Sequence, residues 1–107
     1  MANPIGSTQE IAGTPGATVT LTIQSDVMHI LATWTAGQAE TVNISGTQRP
    51  EQMLTLMITN DAIARTITLG TGITSTGVII GTGLKTAIAV FQSNGTTFHE
   101  LSRTLGL

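Results

Sequence analysis

The first clear pattern in the chain is a strict alternation of threonine and aliphatic residues. Over positions 17–24, every second residue from Val19 to Ile23 is aliphatic, and the residues between them are threonines. A period of two residues places the apolar side chains on one face of a β-strand and the threonines on the other. Because β-branched threonine suits a pleated, half-buried surface, we predict a strand with one face in a core.

Other short segments carry a comparable strand signal. They are rich in aliphatic and β-branched residues and are bounded by the residue types that mark turns. These segments are 28–35, 40–45, 53–59, 65–69, 77–80, 86–91 and 97–102. Segment 53–59 is apolar enough to form one or two helical turns as well, but its threonines and the following Asn60-Asp61 favour a central strand.

The last two segments flank Asn94-Gly95 and predict a β-hairpin. Asn-Gly between two apolar runs is a strong short-range signal, because both residues tolerate the positive φ that a type I′ turn requires. The strand before the turn, 86–91, is apolar on both faces, which is typical of a central, buried strand. The strand after it alternates, so we expect it to be half exposed.

About eight short strands and no convincing helix predict an all-β domain, an antiparallel β-sandwich or jelly roll. The 107 residues suffice for one domain. Residues 1–16 are rich in glycine and proline and show no period, so we predict an extended N-terminal arm before a sandwich domain of residues 17–107. The arm is either loose or ordered by docking on a partner, with Ile5 and Ile11 as its candidate docking residues.

Charged residues make up 9% of the chain and hydrophobic residues 40%, whereas an ordinary soluble domain is roughly a quarter charged. A surface of threonine, serine, glutamine and glycine repels its neighbours weakly, which suits a protein that packs against copies of itself. The net charge of −2 and the scattered basic residues argue against a nucleic-acid partner. The apolar runs are far shorter than the ~18 residues of a membrane-spanning helix, so no membrane partner is expected.

The residue types needed for catalysis or metal binding do not converge in the sequence. There is no cysteine, and His29 and His99 are the only histidines. A metal site needs further ligands in convergent positions, and the carboxylates lie in or beside predicted turns or at strand ends. No Gly-x-Ser-x-Gly motif is present. We therefore predict no enzymatic activity, no metal and no cofactor.

Aromatic residues are few, which bears on ligand binding. Trp34 is the only tryptophan, there is no tyrosine, and the phenylalanines are Phe91 and Phe98. Sites that bind sugars usually stack the ligand on several aromatic rings. Trp34 lies at the end of its predicted strand, so a core position and a position at the rim or in a subunit interface are both open, and we take Trp34 as the candidate interface residue.

Three stretches resemble a known family. Residues 53–61 form an apolar run that ends in Asn-Asp, residues 65–70 alternate, and residues 91–103 contain Ser-Asn-Gly-Thr followed by Glu-Leu-Ser-Arg. In this order they resemble the small β-sandwich domain of tailed-phage virion proteins, which occurs in head decoration proteins, head fibres and tail-fibre modules.

The resemblance implies a structural function. Members of such families are usually homotrimers, and a module of this size is similar to a capsid cement protein. It implies a decoration protein on the outer capsid surface that forms homotrimers and clamps neighbouring subunits of the major capsid protein. In this interpretation the arm, with Ile5 and Ile11, docks on the shell. The alternative is a receptor- or glycan-binding module of a head or tail fibre.

Overall fold

The computed structural model describes residues 8–74 and 78–107, and all regular structure in these ranges is β. The strands form a six-stranded sheet and a four-stranded sheet. No helix in the described ranges is long and apolar enough to cross a membrane. The all-β prediction is confirmed.

In chain order, the strands are β1 (Thr8–Ala12), β2 (Thr18–Thr22), β3 (His29–Ala36), β4 (Glu40–Ser45), β5 (Pro50–Asn60), β6 (Thr66–Leu69), β7 (Ile73–Thr74), β8 (Ile79–Ile80), β9 (Thr86–Asn94) and β10 (Phe98–Thr104). The six-stranded sheet has the order β1-β3-β5-β9-β10-β7, and the four-stranded sheet has the order β2-β4-β6-β8. Each predicted segment contains a strand, and β1 and β7 are additional.

The connectivity differs from the antiparallel jelly roll that we expected. From β1 to β6 the chain crosses to the opposite sheet after every strand, so strands of successive coils become neighbours. The pairs β1–β3, β3–β5, β2–β4 and β4–β6 are all parallel. Thr8, His29 and Met53 therefore lie side by side in three successive coils. The first half of the chain is a two-sheeted, solenoid-like β-coil.

The physical reason is that alternation fixes which face of a strand is buried, but not the direction of its neighbours. A reversal of the chain within one sheet needs a tight turn such as Asn-Gly. The sequence contains this dipeptide only at Asn94-Gly95, and there the chain does reverse, because β9 and β10 are antiparallel. The earlier connectors carry the chain across the core instead.

The second half of the chain closes the coil with mostly antiparallel pairs. Strand β9 lies antiparallel to β5, β10 lies antiparallel to β9, and β8 lies antiparallel to β6. The short β7 pairs with the start of β10 in parallel. Strand β5 is therefore the junction between the parallel coil and the closing hairpin.

The hairpin at Asn94-Gly95 is confirmed, but its turn is not type I′. Gly95 has a φ of 101°, whereas Asn94 is not among the residues with positive φ. The Asn94 side-chain oxygen accepts hydrogen bonds from the backbone N–H groups of Thr96 at 3.0 Å and Thr97 at 2.9 Å. The loop is longer than the two-residue turn and is organised by the asparagine side chain.

The core lies between the two sheets and consists of alternate residues of both. In β5, Leu54, Leu56 and Ile58 are buried. Leu56 has Ala32 of β3 on one side and Ala89 of β9 on the other. Such an exchange of large and small residues across a row lets two facing sheets interdigitate at high density.

Buried polar side chains close the two ends of the core. Gln52 is fully buried, and its amide nitrogen donates to the backbone oxygens of Gln24 and Val27, both at 2.8 Å. Its side-chain oxygen accepts from the Arg49 N–H. At the opposite end, the Asn60 side-chain oxygen accepts from the Arg65 N–H at 3.0 Å. In the described ranges no buried side-chain nitrogen or oxygen is left without a partner, so the core bears little desolvation cost.

The turn after β4 generates a stability prediction. Gly46 has a φ of 101°, and a Cβ there would lie 2.7 Å from the backbone oxygen of Ile23. We expect Gly46→Ala to lower the free energy of unfolding by about 1–3 kcal/mol, because an alanine in the left-handed backbone conformation alone costs about 1–2 kcal/mol. Gly37→Ala is the matched control, since a Cβ there meets nothing within 4 Å. Urea unfolding of both variants measures the difference, and equal losses would contradict the turn geometry.

Candidate interaction surfaces

Trp34 lies in the core and not at a rim, which corrects the expectation of an interface residue. Its side chain is 7% exposed, and its indole N–H donates to Oε1 of Glu40 at 2.7 Å. Glu40 is buried as well, and its Oε2 accepts from the Gly16 N–H at 3.2 Å. A Cβ on Gly13 would lie 2.7 Å from the indole ring. The Trp34–Glu40 pair therefore fastens the connector between β1 and β2 to the core.

Part of the expected N-terminal arm is a strand of the domain itself. Thr8–Ala12 pairs in parallel with β3, and Ile11 is partly buried against the core. The sequence signal is weak here because the inward positions are only Gln9 and Ile11, and one of them is polar. Ile5 lies outside the described residues. A docking role for Ile5 or Ile11 stays a prediction.

The histidines lie far apart, and the aromatic rings are buried. His29 and His99 lie in one row across the sheet with β5 and β9 between them, so about 14 Å separates their strands. Among the described residues no group of three His, Cys, Asp or Glu side chains could hold a metal ion. Trp34, Phe91 and Phe98 are all buried. These rings therefore provide no stacking surface for the glycan-binding alternative.

The outer face of the six-stranded sheet mixes apolar side chains with threonine, and we call it the mixed face. Its half-buried central residues are Leu31, Met53, Thr55, Met57, Ile88 and Val90. Leu31, Thr55 and Val90 form one row across β3, β5 and β9, and Thr33, Met57 and Ile88 form the next. Neither row carries a charge on these three strands.

Two features extend the mixed face beyond these rows. Open depressions indent it between β1 and β3 and again beside the start of β9. At that end Leu107 exchanges two backbone hydrogen bonds of 2.9 Å with Thr86. Directly opposed residues of an antiparallel pair project to the same side. Leu107 therefore adds a further exposed aliphatic side chain to this face.

In the four-stranded sheet the outer face of β2, β4 and β6 has a different chemistry, and we call it the hydroxyl face. The short edge strand β8 instead exposes Ile80. Every outward position of β2, β4 and β6 is threonine, serine or asparagine. These residues are Thr18, Thr20, Thr22, Thr41, Asn43, Ser45, Thr66 and Thr68. Their polar groups bond well to water, so this face needs no protein cover.

The Glu-Leu-Ser-Arg sequence of the closing hairpin forms an ion pair through a β-bulge. Residues three apart in a strand normally face opposite sides, but the bulge between Glu100 and Ser102 makes Leu101 an extra residue. Glu100 and Arg103 therefore meet, with Nε and Nη2 of the arginine 2.5 and 2.6 Å from the two carboxylate oxygens. Nη1 donates to the Val78 oxygen at 2.7 Å. Arg103 thus joins the hairpin to the segment entering β8, and its bond to Glu100 raises the pKa of Arg103.

Two exposed aliphatic side chains, Ile63 and Leu84, stand on neighbouring loops at the end of β5, and we call them the apolar end. They are 58% and 75% exposed. Leu84 has a φ of 60°, a conformation that costs a leucine about 1–2 kcal/mol. Asp61 holds both loops, because its backbone oxygen accepts from the Leu84 N–H at 2.7 Å and its Oδ1 accepts from the Ile63 N–H at 3.2 Å. The sequence pattern does not single out this pair, since isolated aliphatic residues in loops follow no period.

Comparison of the chain with family models, with curated proteins and with solved structures gave no match. The interpretation of the surfaces therefore depends on the geometry of the chain and on its sequence pattern. The resemblance to virion proteins stays a prediction.

The buried Trp34–Glu40 pair generates a second stability prediction. Trp34→Phe removes the indole N–H from a buried carboxylate and should lower the free energy of unfolding by about 2–3 kcal/mol. In the Glu40→Gln background the same change should cost less, because a neutral amide oxygen is left unpaired instead of a carboxylate. Urea unfolding of the double-mutant cycle measures the coupling between the two side chains. Equal costs in the two backgrounds would refute the interaction.

The Asp61–Arg65 ion pair generates a prediction about pH. Nε and Nη2 of Arg65 lie 2.9 and 2.7 Å from the Asp61 carboxylate oxygens, and these bonds lower the pKa of Asp61. A carboxyl whose pKa is lower in the folded state contributes stability above its unfolded pKa and loses it as the pH falls through the folded pKa.

The difference in free energy of unfolding between the wild type and Asp61→Asn should therefore be largest at neutral pH. It should shrink below a pH of about 4, the ordinary pKa range of aspartate. Arg65→Gln should show the same trend, because it removes the other partner. Urea unfolding at a series of pH values tests this, and a difference that grows at acid pH would contradict it.

Proposed function

We propose that this chain is a structural virion protein, a capsid decoration (cement) protein. In this proposal it forms homotrimers on the outer surface of a phage capsid and clamps neighbouring subunits of the major capsid protein. The resemblance of residues 53–61, 65–70 and 91–103 to virion β-sandwich domains supports the virion context. The surfaces of the fold support the self-assembly.

The observation that carries the proposal is the lack of charge at the centre of both sheet faces. The central rows of the mixed face and the outward positions of β2, β4 and β6 hold no charged side chain. The charges within strands are elsewhere: Glu40 is buried, Glu100 and Arg103 pair with each other, Glu10 lies on the edge strand β1, and Glu51 is exposed at the start of β5. Because the faces repel weakly, copies of the chain can approach closely.

The fold also suits a mechanical role. The chain crosses between the sheets repeatedly, and hydrogen-bonded polar side chains close the ends of the core. We therefore expect a rigid domain, as a clamp requires. Residues 1–7 precede β1, which pairs with β3. A docking segment that reaches a shell therefore starts from an anchored strand. Three such segments acting together raise the overall affinity by about 10²–10⁴ without a new kind of contact.

The test uses capsids of the encoding phage prepared without this protein. Purified full-length chain should have the solution mass of a trimer by light scattering and should co-sediment with the capsids at a saturable ratio. A variant that lacks residues 2–7, and so keeps β1, should remain trimeric and bind at least about 10²-fold more weakly.

The outcomes separate the parts of the proposal. A full-length chain that is monomeric and does not sediment with the capsids would refute the function. Undiminished binding of the shortened chain would show that residues 2–7 are not the docking segment. The matched control is a variant with Gly37→Ala in the full-length chain, which should bind as the wild type does.

A further inference from the structure

We propose that the mixed face is the surface through which copies of this chain pack against one another, while the hydroxyl face remains in water. This inference builds on the homotrimer of the proposed function and names the surface that forms it.

The central strands of the mixed face are apolar on their outer side as well. In β9, Ala87, Ala89 and Phe91 are buried in the core, whereas Ile88 and Val90 project outward and are only partly buried. Near-continuous apolar sequence is typical of strands that are covered on both faces. Within residues 8–74 and 78–107, the chain covers only one face of β9. A second protein surface on the other face accounts for the apolar residues there.

Strand β2 provides the internal comparison. Its sequence alternates strictly between buried Val19 and Leu21 and exposed threonines. This alternation is typical of a sheet with one face in the core and one in water. The mixed face and the hydroxyl face therefore carry different signals, and of these two only the mixed face carries the signal of a covered surface.

The dimensions of the two faces favour the same assignment. Six strands at ~4.8 Å, with a mean length of about seven residues at ~3.3 Å, give a mixed face of about 29 by 23 Å, or ~670 Å². A standard protein interface takes ~800 Å² from each partner. The hydroxyl face, with three strands of about five residues, offers only ~240 Å² on the same basis.

The borders of the mixed face fit a second copy of the chain arranged in a ring. The centre carries no charge, so it can face its own copies without repulsion. One border is β1 with the carboxylate of Glu10, and towards the other border lies β10 with the imidazole of His99. A contact between two different borders is heterologous, and such contacts close into a ring when the rotation permits. Three mixed faces directed at a common axis satisfy this geometry.

The test compares one charge at the centre of each face. Ile88→Glu places a carboxylate in the mixed face, and Thr20→Glu is its matched control in the hydroxyl face. We expect the wild type and Thr20→Glu to elute with the mass of a trimer by size exclusion with light scattering, and Ile88→Glu to elute as a monomer. Circular dichroism should show the same β spectrum for all three proteins.

A measurement on the unmodified chain keeps the inference testable if Ile88→Glu fails to fold. Met57 lies on the mixed face and Met28 lies in the connector before β3. Peroxide should oxidise Met57 more slowly at a protein concentration where the chain is assembled than at one where it is dissociated. Met28 should be oxidised at the same rate at both concentrations. Mass spectrometry of peptides measures both.

Each result has one meaning. A trimeric Ile88→Glu, or Met57 oxidised equally fast at both concentrations in a chain that does assemble, would overturn the assignment of the mixed face and leave the homotrimer standing. A trimer lost in Thr20→Glu but kept in Ile88→Glu would assign the hydroxyl face instead. A wild type that is monomeric at all concentrations would refute the homotrimer itself.

Discussion

The fold depends on the two kinds of neighbour that β5 accepts. On one side β5 pairs in parallel with β3, the strand of the preceding coil, and on the other it pairs antiparallel with β9. Parallel neighbours arise only when the chain leaves the sheet and returns. The antiparallel neighbour β9 is the first strand of the hairpin that β10 completes. A central strand of eleven residues can satisfy both ladders over its length. Its inward leucines and isoleucine give the two halves of the chain one core.

The positions and faces of the strands could be predicted from the sequence, because burial of one face imposes a period of two residues. The direction of the strands could not, because Val19 and Leu21 are buried equally well beside a parallel or an antiparallel partner. The one reversal that was predicted, at Asn94-Gly95, has a cause in the local backbone. Its turn type was nevertheless wrong, since a longer loop with the Asn94 side chain bonded across it satisfies the same N–H groups.

The interaction surfaces were less accessible to sequence reasoning. Trp34 shares its strand face with Ile30 and Ala32, and this alternation is typical of a core position. Its place near the strand end is equally compatible with a position at the rim. The buried position of Trp34 is stabilised by Glu40, which lies on the next strand in the chain and supplies a buried acceptor for the indole N–H. The alternation of apolar and polar residues around Trp34 does not reveal a partner of this kind from another strand. The same holds for Ile63 and Leu84, which Asp61 brings together from separate loops.

The contrast between β2 and β9 is the feature that the proposed packing of copies would explain. Threonine alternates with aliphatic residues in β2 because water covers one face and the core the other. In β9 the aliphatic residues Ile88 and Val90 lie on the outer face of the sheet, where they are only partly buried. A free face of this kind costs stability or solubility in a monomer. It is consistent with the rest of the molecule if the chain folds as one body and completes its apolar burial by packing against its own copies.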